Sequence, residues 1–241
     1  MIRIQNLAKR INNQSILRHI DFQVFKGELV TIIGPSGSGK TLLLECLTMN
    51  TLWHDGSYNL NGKDLTPNTY RAKRILKKEI AYLKDTLGLN PNKTSLQNVK
   101  DGVKEAKPIW GRLFGTSQDA HMEAMDILEK LGLLDLAHKK VNKLSGGEQQ
   151  RVAIAKATAK GATIIIADEP VSGLDPLRAR QVIEDFKNMT ERANITLICT
   201  LHRLELAEKF ADRIIGMKDG RIVVEAVGRR LTEEERNSIF D

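Results

Sequence analysis

One short stretch decides the fold of this chain: Gly34-Pro35-Ser36-Gly37-Ser38-Gly39-Lys40-Thr41. Its spacing fits the pattern G-x-x-x-x-G-K-[ST]. An apolar run typical of a β-strand precedes it at 29–33, and a helix-competent segment follows it to about residue 49. A strand, a glycine loop and a helix N-terminus together form an anion site, because backbone N–H groups point inward and the helix end is partially positive. We therefore predict a nucleoside triphosphate site here.

Two residues at the end of the loop have distinct predicted roles. Lys40 can reach the β- and γ-phosphates of the nucleotide, and the Thr41 hydroxyl can ligate Mg²⁺. A chance match in a glycine turn is the alternative, but it would not account for the correct strand and helix on either side. The stretch thus predicts ATP and Mg²⁺ as ligands.

The composition limits the class of protein. With 241 residues, of which 41% are hydrophobic, the chain fits one large α/β domain or one domain with a small inserted lobe. A formal charge of +7 favours anionic partners such as nucleotides, nucleic acids or acidic lipids. The basic run at 71–78 is interpreted as a solvated helix face, because only Tyr70 could supply the aromatic contacts of a nucleic-acid groove. We predict no nucleic-acid partner.

Cysteine usage and hydropathy point to the cytoplasm. Cys46 and Cys199 each lie in an apolar run, which predicts buried free thiols rather than a disulfide or metal pair. The sequence opens without a signal segment, and its apolar runs fall short of the roughly 18 residues that a membrane span needs. We therefore expect a cytoplasmic chain that spans no membrane.

Hydrophobic periodicity and turn residues give a coarse order of elements. Strands are predicted at 2–8, 16–25, 28–33, 57–60, 80–83, 164–169, 195–200, 213–217 and 221–225. Helices are predicted at 95–105, after Ser117, from the run 144–151 to about residue 160, and at 176–191, 204–211 and 232–240. The helix after Ser117 is expected to bury Met122, Met125, Ile127, Leu128 and Leu131. The helical block at about 95–145 is the candidate inserted lobe.

Two adjacent acids follow a fully apolar strand, Ile164-Ile165-Ile166-Ala167. The first, Asp168, can lie beside the phosphate loop and hold Mg²⁺ through its oxygens. The second, Glu169, points elsewhere along the pleat and is suited to orient or deprotonate an attacking water. A solvated strand end is the alternative, but it is a poor account of acids that follow four apolar residues.

A second glycine segment, Ser145-Gly146-Gly147, predicts another anion cradle at a helix N-terminus. Its hydroxyl and N–H groups could meet a γ-phosphate. Because one chain binds one set of phosphates, a second cradle indicates that a partner subunit supplies the nucleotide it contacts.

These motifs resemble those of the ATP-binding subunits of ATP-binding-cassette transporters, from about Ile2 to Gly220. The segment Leu144-Ser145-Gly146-Gly147-Glu148-Gln149-Gln150-Arg151 is similar to the signature motif of that family. The resemblance implies a single cassette domain over 1–241, with a P-loop core, an antiparallel β subdomain and the inserted helical lobe. It also implies a head-to-tail dimer in which each ATP lies between one phosphate loop and the signature of the other subunit.

The resemblance assigns roles to the predicted site residues. It makes Gly34–Thr41 the Walker A loop, Asp168 the Walker B aspartate and Glu169 the catalytic glutamate. Asp175, in Ser172-Gly173-Leu174-Asp175, ends the loop that contacts the other subunit, and His202 senses the γ-phosphate. Ser145, Gly146 and Gly147 contact the ATP of the partner.

Two positions depart from the family pattern. Ile11, beside Arg10, stands where the family usually stacks an aromatic ring on adenine. Asp85 stands where a glutamine normally contacts Mg²⁺, water and the membrane partner. Asp85 could ligate the metal, or it could fall short and repel the γ-phosphate. Neutral drift explains both departures equally well.

Within the family, the chain most resembles the ATPases of phosphonate importers, in the segments 110–115, 168–171, 201–207 and 212–220. The implied function is ATP hydrolysis that powers import of a phosphonate or related oxyanion, at the cytoplasmic face of the membrane. Transmembrane permease subunits and an extracytoplasmic solute-binding protein are the implied partners. Methionine and polar amino-acid importers share much of this likeness, and a weakened regulatory cassette or a soluble ATPase are further alternatives.

Overall fold

The computed structural model describes residues 1–12, 14–67, 69–83, 88–106 and 117–241. The strands within these ranges are β1 Ile2–Ile11, β2 Gln14–Val24, β3 Leu29–Ile33, β4 Asp55–Leu60, β5 Lys63–Asp64, β6 Ile80–Leu83, β7 Ile164–Ala167, β8 Thr196–Thr200, β9 Arg213–Lys218 and β10 Arg221–Val227. The helices are α1 Lys40–Leu47, α2 Tyr70–Glu79, α3 Ser95–Ala106, α4 Ser117–Lys130, α5 Gly146–Ala159, α6 Pro176–Ala193, α7 Leu204–Phe210 and α8 Glu233–Phe240. Two short 3-10 turns, Leu134–Leu136 and Val141–Lys143, connect α4 to α5.

A six-stranded sheet in the order β10-β9-β3-β8-β7-β6 forms the centre of the molecule. Its strands are parallel except for β10, which pairs with β9 in the antiparallel sense. Every residue of β3, β7 and β8 is buried, as expected for parallel strands covered on both faces. The phosphate loop and the two acids therefore leave the same edge of one sheet, with β8 between their strands.

A smaller antiparallel sheet, in the order β2-β1-β4-β5, confirms the predicted antiparallel subdomain. The turn between β4 and β5 is the predicted hairpin: Asn61 has φ 51° and Gly62 has φ 80°. Positive φ at both central residues is the geometry that Asn-Gly favours, because it matches the twist of the paired strands.

Side chains on the two faces of the central sheet build separate hydrophobic cores. One face packs with helices α3 to α8, whose buried members include Val99, Leu128 and Ile154. The other face packs with α1, α2 and the antiparallel sheet, where Tyr58 and Leu44 are buried. Alternation along β3 divides its residues between the two cores, since Ile32 faces the second core and Ile33 the first.

Helices α3, α4 and α5 pack against one another beside this sheet. The contact between α3 and α5 is close, because a Cβ on Gly102 would lie 2.7 Å from the Lys156 carbonyl oxygen. The segment 95–145 thus contains α3 and α4, while its status as a separate lobe stays a prediction. The expected burial of Met122 is wrong, because this side chain is 61% exposed; Leu128 and Leu131 carry the buried face of α4.

Several local predictions are confirmed. Cys46 and Cys199 are buried free thiols, and burial raises the pKa of each to about 12. Thr232 and Glu235 form a reciprocal capping box at the start of α8. Arg229 pairs with Glu235, and this hydrogen bond, more than the one from Thr232, lowers the pKa of that carboxyl to about 2. Within the described ranges, no helix is long and apolar enough to cross a membrane.

Candidate nucleotide site

The phosphate loop is held in place by backbone hydrogen bonds within the loop and to the turn between β9 and β10, which β2 contacts in turn. The N–H of Ser38 donates to the Pro35 carbonyl at 3.2 Å, which closes a turn within the loop. Gly220, in the turn between β9 and β10, donates its N–H to the Ser38 carbonyl at 3.1 Å. The N–H of Arg18 on β2 donates in turn to the Gly220 carbonyl at 2.8 Å. Residues of both sheets are therefore linked to the loop by hydrogen bonds: the β9–β10 turn directly, and β2 through Gly220.

The start of α1 has the features of an anion cradle. Gly39 precedes the helix with φ 98°, and no side chain caps its first turn. The first N–H groups of an uncapped helix lack intrahelical partners. The Ser38 hydroxyl is also buried with no hydrogen-bond partner among the described residues. These unpaired donors fit a phosphate group, as the sequence predicts.

Lys40 is only 6% exposed and lies inside the loop. Its Nζ donates hydrogen bonds to the carbonyl oxygens of Gly34 at 2.8 Å and Pro35 at 2.9 Å. Burial lowers the pKa of Lys40, and the charges of Glu169 and Asp168 partly oppose this shift. The structure therefore brings the lysine and both acids into one site.

The two acids are joined by a threonine from the neighbouring strand. The Thr200 hydroxyl donates to Asp168 Oδ1 at 2.6 Å and accepts the Glu169 N–H at 2.8 Å. Strand β7 ends at Ala167, and Glu169 has a left-handed φ of 48°. The expectation that the strand pleat sets the direction of Glu169 is therefore wrong, because a turn after the strand sets it.

His202 follows β8 and reaches the second acid. Its Nε2 lies 2.6 Å from Glu169 Oε1, and the two side chains are 46% and 38% exposed. A cavity of about 180 Å³ opens beside this pair and is also lined by Ser172 and Gly173. The glutamate thus combines access to water with a partner that fixes its orientation, which suits a general base.

The loop from Ser172 to Asp175 is tied to the same residues. The Ser172 N–H donates to the Glu169 carbonyl at 3.0 Å, and Arg203 donates to the Leu174 carbonyl at 2.6 Å. Asp175 caps α6 by accepting the N–H groups of Leu177 and Arg178, and the Arg178 N–H most strongly lowers the pKa of Asp175. The loop is thereby fixed relative to Glu169.

Ser145, Gly146 and Gly147 occupy the N-terminus of α5, as predicted. The Ser145 hydroxyl accepts the Glu148 N–H at 3.3 Å, and the Glu148 carboxylate accepts the Ser145 N–H at 2.8 Å. Among the described residues, no hydrogen bond or ion pair joins these three residues to the phosphate loop. A role for them at an ATP held by another subunit remains a prediction.

Of the two residues that depart from the family pattern, the structure describes Ile11 but not Asp85. Ile11 ends β1 opposite Gln14 and is 45% exposed. The same hairpin approaches the loop, because Lys9 pairs with Leu17, whose side chain lies 2.9 Å from a Cβ placed on Gly39. Asp85 lies outside the described residues, as does the segment 110–115.

The donor chemistry at the loop fits Mg²⁺. Asp168 offers a carboxylate with one oxygen fixed by Thr200, and Thr41 offers a hydroxyl at the exposed start of α1. Mg²⁺ prefers such hard oxygen ligands and usually binds with one or two carboxylates and the substrate phosphates.

Comparison with known proteins now decides the family, because the model of the ABC transporter family matches residues 17–172. The chain belongs to the ABC transporter family. Its phosphate loop is therefore that of an ATP-binding transport ATPase, which couples ATP hydrolysis to transport.

Curated relatives cover the whole chain. It is 36% identical over 240 residues to the hypophosphite import ATP-binding protein HtxD of Stutzerimonas stutzeri, an alignment that spans 99% of this chain and 70% of that protein. It is 35% identical over 241 residues to the phosphonates import ATP-binding protein PhnC of Fusobacterium nucleatum, across 100% and 98% of the two chains.

Solved structures of ABC cassettes share the fold. A nucleotide-free ATP-binding cassette from an ABC transporter superposes with a TM-score of 0.75 at 26% identity, over 99% of this chain and 94% of that one. A dimeric cassette bound to ADP and Pi in a post-hydrolysis state gives a TM-score of 0.70 at 28% identity, over 96% and 100% of the chains.

Sequence reasoning missed Thr200 as a member of this ABC ATPase site. Its partners, residues 168 and 169, follow another strand, so spacing along the chain gives no sign of the contact. The available signal is weaker: Thr200 is a polar residue that ends an apolar strand shortly before His202.

Gly34 and Gly37 test the close packing of the phosphate loop. Both have positive φ, 151° and 81°, but a Cβ on Gly34 would overlap the Met217 carbonyl oxygen, whereas a Cβ on Gly37 meets nothing within 4 Å. We expect Gly37→Ala to lower the free energy of unfolding by about 1–2 kcal/mol, the cost of left-handed backbone. Gly34→Ala should cost clearly more and abolish ATP binding. Urea unfolding and calorimetry measure both, and equal losses would contradict the packing argument.

Proposed function

We propose that this chain is the ATP-hydrolysing subunit of an ABC importer for phosphonate or a related phosphorus oxyanion. The assignment of the solute is supported by the likeness, over nearly all of this chain, to relatives named for phosphonate and hypophosphite import. The chain would act as one cassette domain over 1–241, with the inserted lobe at about 95–145, peripheral to the cytoplasmic face of the membrane.

The chemical roles follow from the contacts at the sheet edge. Lys40 Nζ would exchange the carbonyl oxygens of Gly34 and Pro35 for phosphate oxygens, whose negative charge would stabilise the buried ammonium group. Glu169 would accept a proton from a water that attacks the γ-phosphate. His202 would orient that carboxylate through their 2.6 Å contact and then meet the γ-phosphate. Each role uses a side chain that already stands in the site.

Asp168 and Thr41 would hold Mg²⁺, which would supply positive charge opposite the negative charge of the phosphate oxygens. The remaining roles need partners. We propose a homodimer of cassettes, in which Ser145, Gly146, Gly147 and Asp175 meet the other subunit or its ATP. Closing and opening of this dimer would drive the permease subunits. An extracytoplasmic binding protein would deliver the solute to them. Because Asp85 stands where the family usually has a glutamine, we propose that it acts either as a metal ligand or as a charge that repels the γ-phosphate.

Growth on defined phosphorus sources tests the solute. We expect deletion of the gene in its own organism to abolish growth on methylphosphonate or hypophosphite as the sole phosphorus source, while growth on phosphate continues. Wild-type protein should restore growth, and Glu169→Gln should not. Unchanged growth on every phosphorus source, together with loss of methionine uptake, would favour the amino-acid importer instead.

Glu169→Gln tests the dimeric ATP sandwich. The change removes the base but keeps the phosphate contacts of Lys40 and Ser145, so we expect ATP to stay bound and hold two subunits together. Size-exclusion chromatography with Mg-ATP should show a dimer that disappears without nucleotide. Lys40→Ala in the same background is the control, since it should prevent the dimer. A strictly monomeric Glu169→Gln protein at saturating ATP would contradict the sandwich.

Ile11→Tyr tests the adenine contact. An aromatic ring stacked on a base contributes roughly 1–3 kcal/mol, and isoleucine replaces only part of that through apolar contact. We expect Ile11→Tyr to tighten ATP binding several-fold with little change in kcat. Val227→Tyr, at a 53% exposed strand position, is the matched control and should leave affinity unchanged. Unchanged affinity in Ile11→Tyr would mean that another group, such as Arg10, already covers the adenine.

A further inference from the structure

Thr200 is a completely buried polar residue at the end of β8. Its Cα is paired with that of Ile32 on β3, two residues before Gly34, and the next N–H, from Leu201, donates to the Ile32 carbonyl at 3.0 Å. The backbone at Thr200 is therefore fixed to the strand that carries the phosphate loop.

The hydroxyl of Thr200 faces the other way, towards the acids that follow β7. It donates to Asp168 Oδ1 at 2.6 Å, a length typical of a hydroxyl bonded to a carboxylate. It accepts the Glu169 N–H at 2.8 Å. One buried group thus fixes a carboxylate oxygen of the first acid and the backbone of the second.

The backbone of Glu169 needs such a restraint. Its φ of 48° lies in the left-handed region, where a residue with a long side chain is uncommon. Of the seven other described non-glycine residues with positive φ, two are His19 and Met49, and five have short polar side chains that can hydrogen-bond locally: Asn6, Asn12, Asn61, Asn194 and Asp219. Glu169 lacks that compensation, so the bond from its N–H to Thr200 helps to hold the turn.

A buried threonine that only stabilises the fold makes different contacts. Thr196, at the other end of β8, accepts the Gly27 N–H at 3.0 Å and donates to the Phe25 carbonyl at 3.5 Å. Its hydroxyl bonds to these backbone groups, at the end of β8 opposite to the acids. Thr196 therefore provides a matched comparison on the same strand.

We propose that Thr200 is a positioning residue that aims both acids at the nucleotide. By fixing Oδ1 of Asp168 it leaves the second oxygen free to turn towards Mg²⁺, and by holding the turn at Glu169 it keeps that carboxylate beside His202. This inference rests on the proposed roles of Asp168 and Glu169 in ATP hydrolysis. Residues that orient metal-ligating side chains typically contribute about 10–100-fold to metal affinity or activity.

The test compares Thr200→Val, Thr200→Ser and Thr196→Val in the full chain. Three experiments are made. Steady-state kinetics give kcat and KM for ATP as a function of Mg²⁺, a titration gives the affinity for a non-hydrolysable ATP analogue in EDTA, and electron paramagnetic resonance gives Mn²⁺ binding with that analogue. We expect Thr200→Val to lower kcat about 10–100-fold and to weaken Mn²⁺ binding and Mg²⁺ activation. Analogue affinity in EDTA should stay within about twofold of wild type, because the phosphate loop is untouched.

The two comparison variants separate positioning from folding. Thr200→Ser keeps the hydroxyl and should restore most of the activity and metal binding, while Thr196→Val should keep wild-type kcat and Mg²⁺ dependence whatever its melting temperature. If Thr200→Val does not fold, Thr200→Ala is measured in its place and must show the same losses. Wild-type kcat and Mn²⁺ binding in the hydroxyl-free variant, or losses in Thr200→Ser equal to those in Thr200→Val, would overturn the proposal.

Failure of the proposed function gives a different result. A wild-type protein without ATPase activity would contradict hydrolysis, but the Mn²⁺ comparison between wild type and Thr200→Val would still decide the role of Thr200. An active wild type with an unaffected Thr200→Val variant would contradict this inference alone.

Discussion

The parallel register of β3, β8 and β7 is the constraint on which the site depends. Ile32 on β3 pairs with Thr200 on β8, and Cys199 pairs with Ala167 on β7. Because parallel strands end at one edge, this register brings the phosphate loop, the Thr200 hydroxyl and the two acids together although they come from three distant segments. A shift of one residue in β8 would turn Thr200 to the opposite face of the sheet, since side chains alternate along a strand. The apolar side chains that fill the two cores therefore also fix the chemistry at the edge.

The buried charge of Lys40 is stabilised by groups of the protein itself. Lys40 is buried, which disfavours its charged form, yet two loop carbonyls accept its hydrogen bonds and two acids lie near enough to support its charge. Phosphate binding at Lys40 would therefore exchange these carbonyl partners for phosphate oxygens. Binding to preorganised donors of this kind costs little free energy of rearrangement.

Much of the fold followed from local patterns, and the failures have local causes too. The phosphate loop, the apolar strand before Asp168, the Asn61-Gly62 hairpin and the Thr232 cap each depend on neighbours in sequence, so spacing alone revealed them. Thr200 and the turn at Glu169 depend on pairing between strands more than thirty residues apart, which periodicity does not encode. Met122 was misassigned because α4 buries only a narrow stripe, while a methionine one turn away can stay in water at little cost.

The N-termini of α1 and α5, which the sequence predicts as two anion cradles, differ in how their donors are already paired. No side chain caps α1, so its N–H groups are available to a phosphate from the start. At α5 the Ser145–Glu148 capping box already satisfies donors, and the Glu148 carboxylate adds negative charge beside the cradle. The bond from the Ser145 backbone is the largest cause of the lowered pKa of Glu148, so the carboxylate stays ionised there. If α5 contacts a phosphate, as the sequence predicts, the Ser145 O–H and the Gly147 N–H would have to bind it against this charge. Under the proposed function, binding at α1 would come first, and contact with α5 would depend on a nucleotide that a phosphate loop already holds.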